Sequence, residues 1–128
     1  MIKIEIYKDM VGNIFKYSVE GHAGYSTKGN DIVCSAVSML AQTTLIALNK
    51  VGNIDEESID YSIDEEKGVL KVAIPRDLSN EQLNTTNIIL KTMEVGIKAV
   101  IDSYPEYITL KYREVEWYDK IKFTIVCN

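Results

Sequence analysis

Hydrophobic and polar positions alternate from the first residues of the chain. In "IKIEIYK", Ile2, Ile4 and Ile6 fall on one side and Lys3 and Glu5 on the other, the two-residue period of a strand with one buried face. Val11-Gly12-Asn13 predicts a hairpin turn, and "IFKYSVEGH" resumes the alternation with Phe15, Tyr17 and Val19 against Lys16, Ser18 and Glu20. This second strand runs up to Gly21, with His22 at its exit. The period then lengthens. Val33, Val37, Leu40, Ala41, Thr44 and Leu48 form a helical stripe, capped by Asn30 or Asp31 and stopped at Gly52 after about Val51.

Two more strands follow in "SIDYSID", showing Ile59, Tyr61 and Ile63, and "VLKVAIP", showing Leu70, Val72 and Ile74, joined by a turn ending in Gly68. Ser79 and Gln82 have capping-box spacing and open a second helix carrying Leu83, Leu90, Met93, Ile97 and Ile101. Pro105 stops it by pushing Tyr104 out of helical geometry. "YITLKYR" is a fifth strand, and "KIKFTIV" a sixth that pairs back on it. The ββαββαβ order, with or without the last strand, predicts a two-layer α+β fold: a largely antiparallel sheet of five to six strands with two helices packed on it. One domain spans residues 1–128.

Composition narrows the functional classes. Nineteen acids against fourteen bases give a net charge of −5, which disfavours nucleic acid as a direct partner because that affinity is built from Lys and Arg. A basic protein or peptide is the better-matched partner. The amino terminus lacks the continuous apolar core of a signal peptide, and no window is read as the roughly 18 apolar residues of a bilayer span. A cytoplasmic protein without membrane contact is expected. Cys34 and Cys127 are too few for a disulfide framework, and with the lone His22 they lack the short paired spacings of a zinc site. No metal and no cofactor is expected. Gly21, Gly24 and Gly29 match neither the P-loop nor the dinucleotide spacing.

The chemistry concentrates in "GHAGYSTKGNDIVCSAVS". His22 leaves a strand and Cys34 enters the helix that packs back on the same sheet, so their backbones share one end of the domain. Near a helix start the dipole favours an anion by about 0.3–1 kcal/mol, which alone makes a modest nucleophile of Cys34. An imidazolium beside it would favour the thiolate further and could protonate a leaving amine. Asp31 and Ser38 lie three residues before and four after Cys34, on the same helix face. Asp31 either orients the imidazole or caps the helix, and Ser38 either contacts substrate backbone or bonds its own turn. Gly24 and Gly29 bracket a segment that can act as a lid, with Tyr25 and Ser26 as pocket-lining candidates. A buried structural cysteine and a solvated histidine remain the plain alternative.

Gly21-His22-Ala23, Gly29, Asp31, Val33-Cys34 and Val37-Ser38 together resemble the signature of the ribosomal-processing cysteine protease family, Prp, of Firmicutes and relatives. The resemblance extends through the order of elements over nearly the whole chain and is weakest after Arg113. Ser35 stands where relatives often carry Ala. The family implies an endopeptidase that removes the N-terminal extension of large-subunit ribosomal protein twenty-seven, cutting after an aromatic residue. It also implies Cys34 as nucleophile, His22 as proton donor, Asp31 and Ser38 in support, and a homodimer. Two other readings compete: a non-catalytic ribosome-assembly adaptor binding the same peptide, and a thiol redox protein using Cys34 with Cys127.

Overall fold

A computed structural model describes residues 1–27 and 29–114. Strands β1 (Ile2–Lys8) and β2 (Ile14–Glu20) form the first hairpin, and helix α1 (Ile32–Lys50) follows. A short 3-10 turn leads into β3 (Asp60–Asp64) and β4 (Val69–Ala73), then helix α2 (Asn80–Ser103) and β5 (Ile108–Glu114). The sheet order is β3-β4-β2-β1-β5. The β1–β2, β2–β4 and β3–β4 pairs are antiparallel, whereas β5 runs parallel to β1 with Ile108 opposite Ile2. The α+β class and the largely antiparallel sheet are as the periodicity predicts. "KIKFTIV", expected as a sixth strand, lies outside the described residues.

Register explains which face carries the core. Ile6, Tyr17 and Val72 stand side by side across β1, β2 and β4, and Tyr112 joins them from β5. The Tyr17 hydroxyl donates to the Ala41 carbonyl of α1 at 2.8 Å, and the Tyr112 hydroxyl bonds Glu94 of α2. Both helices therefore cover the same face. The opposite face shows Lys3, Glu5, Lys16, Glu20 and Lys71, whose alternating signs suit contact with water; Glu20 pairs with Lys71 at 3.4 Å.

Helix packing departs from the periodic reading in small ways. Val33, Val37, Ala41, Thr44 and Leu48 are buried, while Leu40 is half-buried between the helices. Gly96 of α2 faces Leu40, where an added Cβ would stand 2.8 Å from a Leu40 methyl, so the glycine permits the close approach of α2. At the end of α1, Val51 is the cap and Asn53, not Gly52, takes positive φ (56°). Gly52 is required by space, since its Cβ would lie 2.6 Å from the Leu48 carbonyl oxygen.

Tyr61 and Ile63 point to the helix side as the alternation predicts, yet they are 40% and 51% exposed because β3 is an edge strand that α1 only partly overhangs. Helix α1 is also long and apolar enough to cross a membrane by length and composition, with mean hydropathy 1.6, contrary to the expectation that no window would be. Its buried stripe instead packs on the sheet.

Candidate active site

The site forms where three elements meet: the exit of β2, the start of α1 and the turn between β3 and β4. Gly21 ends β2 with φ of 94°, a conformation that L side chains rarely adopt, and a Cβ there would lie 2.6 Å from the Met1 carbonyl oxygen. Its N–H donates to the Gly68 carbonyl at 3.0 Å, joining the β2 exit to the β3–β4 turn. His22 is thereby set beside that turn, exposed, with Nε2 3.3 Å from the Glu66 carbonyl oxygen.

Cys34 occupies the first turn of α1, half-buried against the core. The Ala23 N–H donates to Cys34 Sγ at 3.1 Å, so the residue following the histidine touches the sulfur directly. Asp31 is the N-cap. Its Oδ1 accepts from Cys34 N at 2.9 Å, and its Oδ2 accepts from Tyr25 N at 3.0 Å and Ser26 N at 3.3 Å. One carboxylate thus fastens the loop to the helix start. Burial alone would raise this carboxyl, but the N–H groups of Cys34, Ser26 and Tyr25, together with the Cys34 thiol, outweigh it and hold Asp31 below the usual carboxylate range. Of the two roles left open, the geometry is that of the cap: both oxygens are engaged by the helix start and the loop.

A pocket of about 260 Å³ opens between α1 and the β3–β4 hairpin, and His22, Cys34, Gly21 and Ser38 all line it. Gly24, Tyr25, Ser26 and Gly29 do not. The Tyr25 ring turns away and meets Tyr104 and Tyr107 edge-on, with centroids 5.5 and 5.2 Å apart. Asp31 holds the Tyr25 and Ser26 backbone, and the two tyrosines hold the Tyr25 ring beside the C-terminal end of α2. The wall facing Cys34 is the hairpin, through Ile63, Asp64, Glu65 and Gly68. Sequence reasoning missed these residues. A turn ending in Gly68 was visible, but the β2–β4 pairing that brings it to His22 is a long-range contact with no local signal. Among the described residues no group of three or more His, Cys, Asp or Glu could hold a metal ion.

This arrangement offers a thiol at the positive end of a helix and an imidazole on the same open pocket, a set suited to nucleophilic attack on a carbonyl. Comparison with known proteins points the same way. The family model described as cysteine protease Prp matches residues 1–109. The ribosomal processing cysteine protease Prp of Staphylococcus aureus strain Mu50 is 26% identical over 113 residues, covering 88% of this chain and 100% of that protein. Two crystal structures of S. aureus Prp, each at 25% identity with 88% and 100% coverage, superpose with TM-scores of 0.74 and 0.70. The first carries a covalently linked product peptide and the second a substrate peptide.

Proposed function

Because the chain belongs to the cysteine protease Prp family, we propose that Cys34 and His22 cleave the basic N-terminal extension of bacterial large-subunit ribosomal protein twenty-seven after an aromatic residue. The observation that carries this reading is the 3.1 Å contact from Ala23 N–H to Cys34 Sγ, which puts the histidine-bearing loop on the nucleophile. In the S. aureus relative a peptide is covalently linked, consistent with chemistry through an acyl-enzyme. Asp64 and Glu65 on the pocket wall, and the net charge of −5, suit a basic peptide.

The peptide lies along the cleft between α1 and the hairpin and presents a carbonyl to the Cys34 sulfur. Attack forms the carbon–sulfur bond, and the positive end of the α1 dipole favours the oxyanion. The Cys34 N–H is already given to Asp31, so it orients the helix start and does not meet the oxyanion. His22 protonates the leaving amine. Water, deprotonated by His22, then releases the acyl group and regenerates the thiol.

The reaction belongs in the cytoplasm, where a reducing environment keeps Cys34 a thiol. A homodimer is supported by the apolar groove between the helices, where Met39 and Ile88 are 64% and 68% exposed beside Leu40, Ala47 and Ile89. Sedimentation as a monomer at micromolar concentration would remove it.

The test is incubation with a synthetic extension peptide, with fragments read by mass spectrometry. The native protein yields cleavage after the aromatic residue, and Cys34→Ala yields none while keeping its circular dichroism spectrum. A Cys34→Ala variant that still cuts, or a native protein that binds the peptide without turnover, overturns the proposal.

A further inference from the structure

The β3–β4 turn does more than wall the pocket. Glu66 contributes a backbone carbonyl, an acceptor only, 3.3 Å from His22 Nε2. A carbonyl oxygen facing an unprotonated ring nitrogen is repulsive, so the nitrogen at this contact carries the proton. Gly68 supplies the second constraint. Its φ is 67°, and a Cβ built there would stand 2.9 Å from His22 Cε1, 3.1 Å from His22 Nε2 and 2.7 Å from the Gly21 carbonyl oxygen. The imidazole therefore rests where any larger residue at 68 would put its side chain. The Gly21 N–H to Gly68 carbonyl bond, 3.0 Å, holds strand exit and turn together from the backbone side.

We infer that Gly68 and the Glu66 carbonyl are the positioning groups of the catalytic histidine, fixing neutral His22 as the Nε2–H tautomer and leaving Nδ1 as the nitrogen that exchanges protons with the Cys34 thiol and the leaving amine. The inference rests on His22 being the proton carrier of the proposed reaction. As the Cys34 sulfur attacks the carbonyl, Nδ1 takes the thiol proton, giving an imidazolium whose Nε2–H still donates to the Glu66 carbonyl. When the carbon–nitrogen bond of the peptide breaks, Nδ1 returns that proton to the departing amine. Asp31 is committed to the loop and helix start, Asp64 and Glu65 line the pocket wall, and the acceptor in contact with the His22 ring is the Glu66 carbonyl. Orientation of the ring thus falls to a backbone carbonyl, much as a side-chain acceptor orients the histidine in other triads.

The chain has a single histidine, which makes the tautomer directly readable. Full-length protein labelled with 15N-histidine is titrated by long-range 1H–15N correlation, and above the imidazole transition the Nε2–H tautomer is expected to dominate. A dominant Nδ1–H form, or an Nε2–H excess no greater than that of free histidine, which already favours Nε2–H, overturns the inference without any variant being made. For Gly68→Ala the expected result is a fall in kcat of about 100-fold with KM held within about twofold, and loss of the tautomer preference. If kcat and the tautomer stay native in a folded Gly68→Ala protein, the positioning role is wrong. His22→Ala separates the two levels: an active His22→Ala refutes the proton-carrier reading itself, whereas an inactive His22→Ala beside a fully active Gly68→Ala refutes only the positioning.

Discussion

Asp31 joins the loop after His22 to the start of the helix bearing Cys34 through a single carboxylate, so its two oxygens can be dissected by substitution. Asp31→Ala removes the N-cap acceptor of Cys34 N, a loss of about 1 kcal/mol. It also removes the acceptor of the part-buried N–H groups of Tyr25 and Ser26, a loss of about 1 kcal/mol together where water replaces it. The sum of about 2 kcal/mol corresponds to a fall in Tm of about 8 °C for a chain of this size. Asp31→Asn keeps one oxygen but turns an amide NH2 toward two N–H donors, or toward Cys34 N if the amide flips. It should lose about half as much. The sign with pH follows from the lowered carboxyl. Its contribution is fully present above the unfolded value of about 3.9 and is lost as pH falls through the lower folded value. Thermal unfolding followed by circular dichroism should therefore show a gap between native protein and Asp31→Asn that is full near neutrality and closes on acidification. A gap that stays constant down to about pH 2, or an Asp31→Ala loss below about 0.5 kcal/mol, would refute the reasoning.

Three further outcomes follow from packing. Gly21→Ala must carry a Cβ at φ of 94° and 2.6 Å from a backbone oxygen; urea denaturation should show a loss of at least about 1 kcal/mol, accompanied by loss of peptide cleavage because His22 is the next residue. Tyr17→Phe deletes a buried hydroxyl donating to Ala41 at 2.8 Å and should cost about 1 kcal/mol in the same assay, with the spectroscopic signature of the fold retained. Ser79→Ala removes the side-chain acceptor of Gln82 N at 3.1 Å, keeps the bond from its own backbone N–H to Gln82 Oε1, and should lower stability by about 1 kcal/mol while cleavage proceeds at the native rate.

Much of this was legible along the chain because its causes are local. Alternation in "IKIEIYK" and "IFKYSVE" follows from side chains pointing to opposite faces of a strand. Ser79 and Gln82 announce a helix start because their bonds close within one turn. The grouping of His22, Asp31, Cys34 and Ser38 was visible for a related reason: the strand exit and helix start are separated by one short loop. Where prediction and structure part, the cause is long-range. Tyr61 and Ile63 alternate correctly but stay exposed, since only sheet order makes β3 an edge. Tyr25 has no sequence mark sending it to Tyr104 and Tyr107 instead of the pocket.

By itself, then, the sequence determined the elements and most of the buried faces, properties of neighbours within a turn or a strand period, and set His22 and Cys34 at the two ends of one short loop. Only the tertiary structure decided what confronts them. The β2–β4 pairing links residues about fifty positions apart and places a turn, its carbonyl and its glycine against the lone histidine. Such a contact depends on chain closure and sheet order, which no local pattern encodes.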